Sequence, residues 1–84
     1  MKVIMLFNDD GHVWIKVKKS ELDDLGITDK ISPLSRVDKD YVYLEEDMDA
    51  QTYLKALKKQ EIRYEEHYEP RSHIRNLSFF RTDN

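Results

Sequence analysis

Val13, Ile15 and Val17 alternate with His12, Trp14, Lys16 and Lys18, directly after an Asn8-Asp9-Asp10-Gly11 turn that ends the apolar run Val3 to Phe7. A period of two gathers the three β-branched residues on one face of a strand. Asp-Gly is a dipeptide that supplies the positive φ of a tight reversal. The start of the chain is therefore predicted to be a β-hairpin with one buried face, and the rest of the chain has to cover that face.

The covering elements can be read in order. Ser20-Glu21-Leu22-Asp23 has the form of a capping box with Asp in place of Glu, and Gly26 follows as a C′ stop, which predicts a short helix. Ile27 and Ile31 flank Thr28-Asp29-Lys30, and Pro33 disfavours α geometry at Ser32, so this segment reads as an ordered connector. Leu34 to Val37 and Tyr41 to Leu44 are β-prone stretches around an Asp38-Lys39-Asp40 spacer, the length of a three-residue hairpin loop. Ala50, Tyr53, Leu54 and Leu57 fall at i, i+3, i+4 and i+7, one apolar stripe on a helix, with Asp47 or Asp49 as N-cap and Lys58-Lys59 at the negative end of its dipole. Ile62, Tyr64 and Tyr68 occupy even positions of a half-exposed strand ended by Pro70. The order ββαββαβ predicts an α+β fold: one small domain over residues 1–84, with two helices on a mainly antiparallel sheet of about five strands. Residues 71–84 form a tail that docks on this domain or on a partner.

Composition narrows the function classes. Cysteine is absent, so disulfides, thiolate zinc sites, iron–sulfur clusters and cysteine nucleophiles are excluded. The longest apolar run is five residues, Val3 to Phe7, against the ~20 of a membrane helix, and no leader pattern opens the chain, which gives a cytoplasmic expectation. Glycine occurs only at positions 11 and 26, too sparsely for a phosphate-cradling loop. No serine lies in a Gly-x-Ser-x-Gly or Ser-x-x-Lys setting. The net charge of −3 opposes wholesale binding of nucleic acid, which needs a basic face. The reading is a non-enzymatic protein with no cofactor.

Glu45, Glu46, Asp47 and Asp49 crowd the strand-to-helix junction. Hard cations take such oxygens, but a calcium loop spreads its ligands over about twelve residues around a glycine, and this run has neither. Carboxylates at a helix start also cap free amides and oppose the positive end of the dipole. Capping is the preferred reading, and the four residues are weak metal candidates. The three histidines, His12, His67 and His73, form no zincin pair; a grouping of Glu65, His67 and His73 ranks below ordinary surface histidine.

Ser32-Pro33-Leu34-Ser35, then Tyr43-Leu44-Glu45-Glu46-Asp47-Met48-Asp49-Ala50 and an aromatic–leucine pair, resembles a family of short uncharacterised proteins from bacteriophages and their hosts, over residues 12–57. The resemblance implies a provenance and a shared fold, with no assigned activity. Some members carry cysteine where this chain has Met48, and a thioether does not replace a thiolate.

The tail holds the recognition candidates. Arg71, His73, Arg75 and Arg81 interleave with Ile74, Leu77, Phe79 and Phe80, a mixture that suits packing on the chain's own sheet, a protein interface, or phosphate contact with base stacking, in that order. Trp14 joins them, because its register points it away from Val13, Ile15 and Val17; it is either covered by the tail or offered to a partner. The expected function is binding of another protein or self-association, as a phage or mobile-element accessory protein acting on a host factor. A nucleic-acid module using the tail is the alternative, and a carboxylate-dependent metal enzyme the second.

Overall fold

In the computed structural model, which describes residues 1–58 and 60–80, the hairpin forms from β1 (Lys2–Asn8) and β2 (Val13–Lys18), with Leu6 opposite Ile15 and Phe7 opposite Trp14. Its turn closes differently from the Asp-Gly expectation. Positive φ occurs at Gly26 and Lys39, and Gly11 has none. The Asp9 carboxylate instead accepts from the N–H groups of Gly11 and His12 at 2.9 and 2.8 Å, an Asx-type closure that sets the reversal with a side chain. Gly11 is small for another reason: a Cβ there would lie 3.0 Å from an Arg75 nitrogen.

Helix α1 (Lys19–Asp24) follows β2 without a connector. The Ser20 capping box does not form. Lys18 holds the N-cap position with no side-chain bond, and the Lys19 N–H donates to the Asp40 carbonyl at 2.8 Å, so the neighbouring hairpin loop takes over one of the amides a cap would serve. Gly26 does stop the helix. Its φ is 71°, its N–H donates to the Asp23 carbonyl and that of Ile27 to Leu22, each at 3.0 Å, which is the Schellman pattern.

The second hairpin is β3 (Arg36–Asp38) with β4 (Tyr41–Glu45). Asp38 pairs with Tyr41, so the loop is Lys39-Asp40 rather than three residues, and Lys39 takes the positive φ of 55° that so short a loop imposes. Helix α2 (Asp49–Ala56) leads to β5 (Ile62–Tyr68), and a short β6 (Ser78–Phe79) pairs with β3. The six-stranded sheet has the order β5-β1-β2-β4-β3-β6. Among the described residues all pairings are antiparallel except β1 with β5. That exception follows from the connection: a helix lying on the sheet returns the chain in the direction of β4, which is also the direction of β1.

Both helices serve one face. Ile4, Ile15, Val17, Val42 and Leu44 from the strands pack with Leu22, Ile27, Ile31, Ala50, Tyr53 and Phe80. Leu54 and Leu57 are only half-buried, and Leu57 lies just past the helix end, so the apolar stripe is narrower than its spacing suggested. The opposite face has a smaller cluster in which Ile74, from a 3-10 turn (His73–Asn76), covers Trp14 and Tyr43. No described helix is long and apolar enough to cross a membrane.

Candidate functional site

Of the sequence candidates of the tail, Arg75 meets Asp9. Its side chain is fully buried and pairs with Arg75. It accepts from Arg75 Nε at 2.5 Å and Nη2 at 3.0 Å, and from the Ser72 N–H at 3.2 Å, in addition to the two turn amides. Arg75 Nη2 also lies 2.8 Å from His12 Nδ1, and the His12 ring stacks on Trp14 at 5.4 Å. The Arg75 hydrogen bond, outweighing burial and aided by the Gly11, Ser72 and His12 amides, holds the Asp9 carboxyl far below its usual range.

A depressed aspartate titration fixes the sign of a pH effect. The stabilisation is fully present above the usual aspartate value of 3.8 and is lost as pH falls through that range toward the folded-state value. The melting temperature is therefore expected to fall as the pH drops from about 5 through the carboxylate range. Asp9→Asn should lower the melting temperature at neutral pH and flatten that acid dependence; thermal melts of both proteins across this interval measure it, and parallel curves would contradict the assignment.

The other sequence candidates, Trp14 of β2 among them, divide between the two faces. Trp14 is 3% exposed beneath the turn and Phe80 5% exposed in the helix-side core, with the Phe80 N–H donating to the Ser35 carbonyl at 2.7 Å. His73 Nδ1 lies 3.0 Å from Glu69 Oε1. Phe79 is 48% exposed, with the Arg36 guanidinium 3.8 Å over its ring and Arg36 Nη1 donating to the Leu77 carbonyl at 2.8 Å. Arg71 is exposed. Arg81 lies outside the described residues. Residues 71–80 thus use most of their aromatic and cationic groups on the chain itself.

The acidic junction divides three ways. Glu45 does the capping, its carboxylate accepting from the N–H groups of Asp47, Met48 and Asp49 at 2.8, 2.8 and 3.0 Å. The N-cap position belongs to Met48, without a side-chain bond, which corrects the expectation of Asp47 or Asp49 there. Asp49 turns inward instead, 1% exposed, and accepts from the Ser32 N–H, Ser32 Oγ and Ser35 Oγ at 2.9, 2.7 and 2.5 Å. Asp47 and Glu46 are exposed. Among the described residues no three His, Asp or Glu side chains stand together as a metal cluster. His67 pairs with Glu65 at 3.0 Å and stacks on Phe7 at 4.7 Å, while His73 goes to Glu69, so Glu65, His67 and His73 share no ligand position. The signal for the Asp49 arrangement was Ser32-Pro33-Leu34-Ser35, a segment that reads from sequence as an ordered connector with no link to Asp49.

An open surface that the sequence reading did not single out lies between α2 and β5. Leu6, Val13, Leu54 and Tyr64 line a groove of about 280 Å³ with Glu46 and Glu66 beside them. Tyr64 and Tyr68, on the same strand face as Ile62, are 46% and 60% exposed. Helix α2 is too short to shield this end of the sheet. At about 1.5 Å per residue its eight residues span roughly 12 Å.

No family model, curated protein or solved structure matches the chain.

Proposed function

We propose that the protein is a non-enzymatic binding protein that holds a protein partner in the groove between α2 and β5. The observation that carries this reading is the groove in which the exposed Tyr64 and the half-buried Leu6, Val13 and Leu54 lie next to Glu46 and Glu66. An apolar strip beside carboxylates suits a partner segment that brings aliphatic or aromatic side chains together with Lys or Arg. The resemblance over residues 12–57 to short phage and bacterial proteins bears on provenance alone, and with that provenance the partner proposed is a host factor. The alternative of a nucleic-acid module using the tail draws on fewer groups, since Arg75 is bound to Asp9 and Phe80 lies in the core. The metal-enzyme alternative is weakened in the same way by the bonds that already occupy Glu45 and Asp49.

The test is affinity capture from host extract, with three variants run beside the parent chain. A host protein retained by the parent and by Arg71→Ala and Phe79→Ala, resistant to nuclease, and lost with Leu54→Asp supports the groove. Retention that is nuclease-sensitive and depends on Arg71 and Phe79 favours the tail reading. Retention of the host protein by Leu54→Asp, with circular dichroism unchanged, sinks the groove assignment.

A further inference from the structure

Strand β5 lies at one end of the sheet and is long for an edge, seven residues from Ile62 to Tyr68. Its inner side pairs with β1. The Lys2 N–H donates to the Glu61 carbonyl at 2.8 Å and the Glu69 N–H to the Asn8 carbonyl at 3.1 Å. These bonds set the phase of the parallel ladder: odd-numbered residues of β5 bond inward, and the amides and carbonyls of Ile62, Tyr64, Glu66 and Tyr68 point outward. Among the described residues no strand pairs with that outer row. An open row of this kind is a template for another strand unless its side chains forbid it.

The side chains forbid some registers and favour one. Two copies meeting antiparallel about a two-fold axis must set outward groups against outward groups, so near the middle of the strand the axis falls at Tyr64, Glu65 or Glu66. Centred on Glu65, that carboxylate faces itself; centred on Glu66, the same happens there. Centred on Tyr64, each Arg63 lies opposite Glu65 of the other copy, in the non-hydrogen-bonded position where side chains approach most closely. Tyr64 then meets Tyr64. Arg63 is exposed, Tyr64 is 46% exposed and the Glu65 side chain 53% exposed; one Glu65 oxygen, Oε1, already meets His67 at 3.0 Å, which leaves Oε2 for the Arg63 of the other copy. An edge protected by charge alone would repel in every register, whereas this one is self-complementary in one.

We infer that the protein forms a two-fold symmetric dimer through antiparallel pairing of two β5 strands in the Tyr64-centred register, joining two six-stranded sheets into one. The occupant of the edge is a second copy of this chain. The inference is independent of the groove reading and goes beyond it: since Tyr64 lines the groove, the dimer brings two grooves together on one side of the joined sheet.

Sedimentation equilibrium of the full chain tests it, with circular dichroism to show that each variant is folded. The wild type is expected to dimerise with concentration, less strongly as salt rises, because the ion pairs are near the surface. Arg63→Glu alone and Glu65→Arg alone should each be monomeric at concentrations where the wild type is dimeric. Arg63→Glu combined with Glu65→Arg should restore the dimer, and a mixture of the two single variants should form a heterodimer. In the Glu65-centred register the double exchange would only replace one like-charge contact with another, so recovery identifies the register. A wild type that stays monomeric at all concentrations, single variants that dimerise as well as the wild type, or a double variant that remains monomeric would each overturn the proposal. Mass is the readout here and partner capture the readout for the groove, so the two readings fail separately.

Discussion

Tyr53→Ala is expected to cost about 3–5 kcal/mol of folding stability, the range for deleting a buried aromatic side chain. Tyr53 is 2% exposed in the helix-side core and is the largest side chain that α2 sends into the sheet. Its hydroxyl donates to Glu21 Oε2 at 2.6 Å, and the same oxygen receives Lys2 Nζ at 2.7 Å. One side chain thus ties α2 to α1 and, through Glu21, to β1. For a domain of this length the total stability is of order 4–13 kcal/mol, so the loss would be a large share of it. Tyr53→Phe separates the two contributions: it keeps the ring and removes one hydrogen bond, at about 1 kcal/mol. Urea denaturation measures both, and a loss below about 1 kcal/mol for Tyr53→Ala would mean that α2 is not anchored by this residue.

The same helix shows what the sequence could and could not specify. The spacing of Ala50 and Tyr53 identified the buried side of α2 because helical period fixes which residues share a face. It could not say where that face stops: Leu54, at the groove, and Leu57, at the C-cap of α2, are half-buried against the core. Strand β5 repeats the lesson: a period of two put Ile62, Tyr64 and Tyr68 together, yet nothing in that alternation tells whether a helix lies over them. Faces are local and legible. Neighbours depend on the whole chain, which is why the parallel partner of β1 and the pairing of β6 with β3 were invisible.

The Gly26 stop formed as its sequence suggested, whereas three other signals were displaced for a related reason. Ser20, Asp47 and Gly11 each matched a short signature, but each served a position where another group was closer. The Asp40 carbonyl reached the start of α1, the Glu45 side chain covered the start of α2, and the Asp9 carboxylate closed the first hairpin. Trp14 and Phe80 were legible as alternatives only, covered or offered. Phe79 and Phe80 are adjacent in a strand ending, so alternation sends one toward Arg36 on one face and the other into the core on the opposite face.

Asp49→Ala is expected to cost about 2–4 kcal/mol, because it strands the groups that converge on a buried carboxylate. The Ser32 amide, the Ser32 hydroxyl and the Ser35 hydroxyl all donate to Asp49, and Ser35 is itself fully buried, accepting from the Glu45 N–H at 3.1 Å. That network joins the segment before β3 to the end of β4 and the start of α2, so its loss loosens the junction on which the groove depends. Asp49→Asn should fall between alanine and wild type, since the amide keeps one acceptor oxygen but turns a donor toward donors. Replacing Ser32 and Ser35 by alanine together should remove only the part of the Asp49→Ala penalty that comes from the two hydroxyls, as a double-mutant cycle would show, because the Ser32 amide still lacks its acceptor. The measurement also decides between a structural carboxylate and a metal ligand. If calcium, magnesium or manganese leaves the urea midpoint of the wild type unmoved while Asp49→Ala lowers it, the carboxylate acts through the serines. If a divalent cation raises the wild-type midpoint and Asp49→Ala abolishes that rise, the cation is its partner, since a ligand that binds only the folded state must stabilise it by mass action.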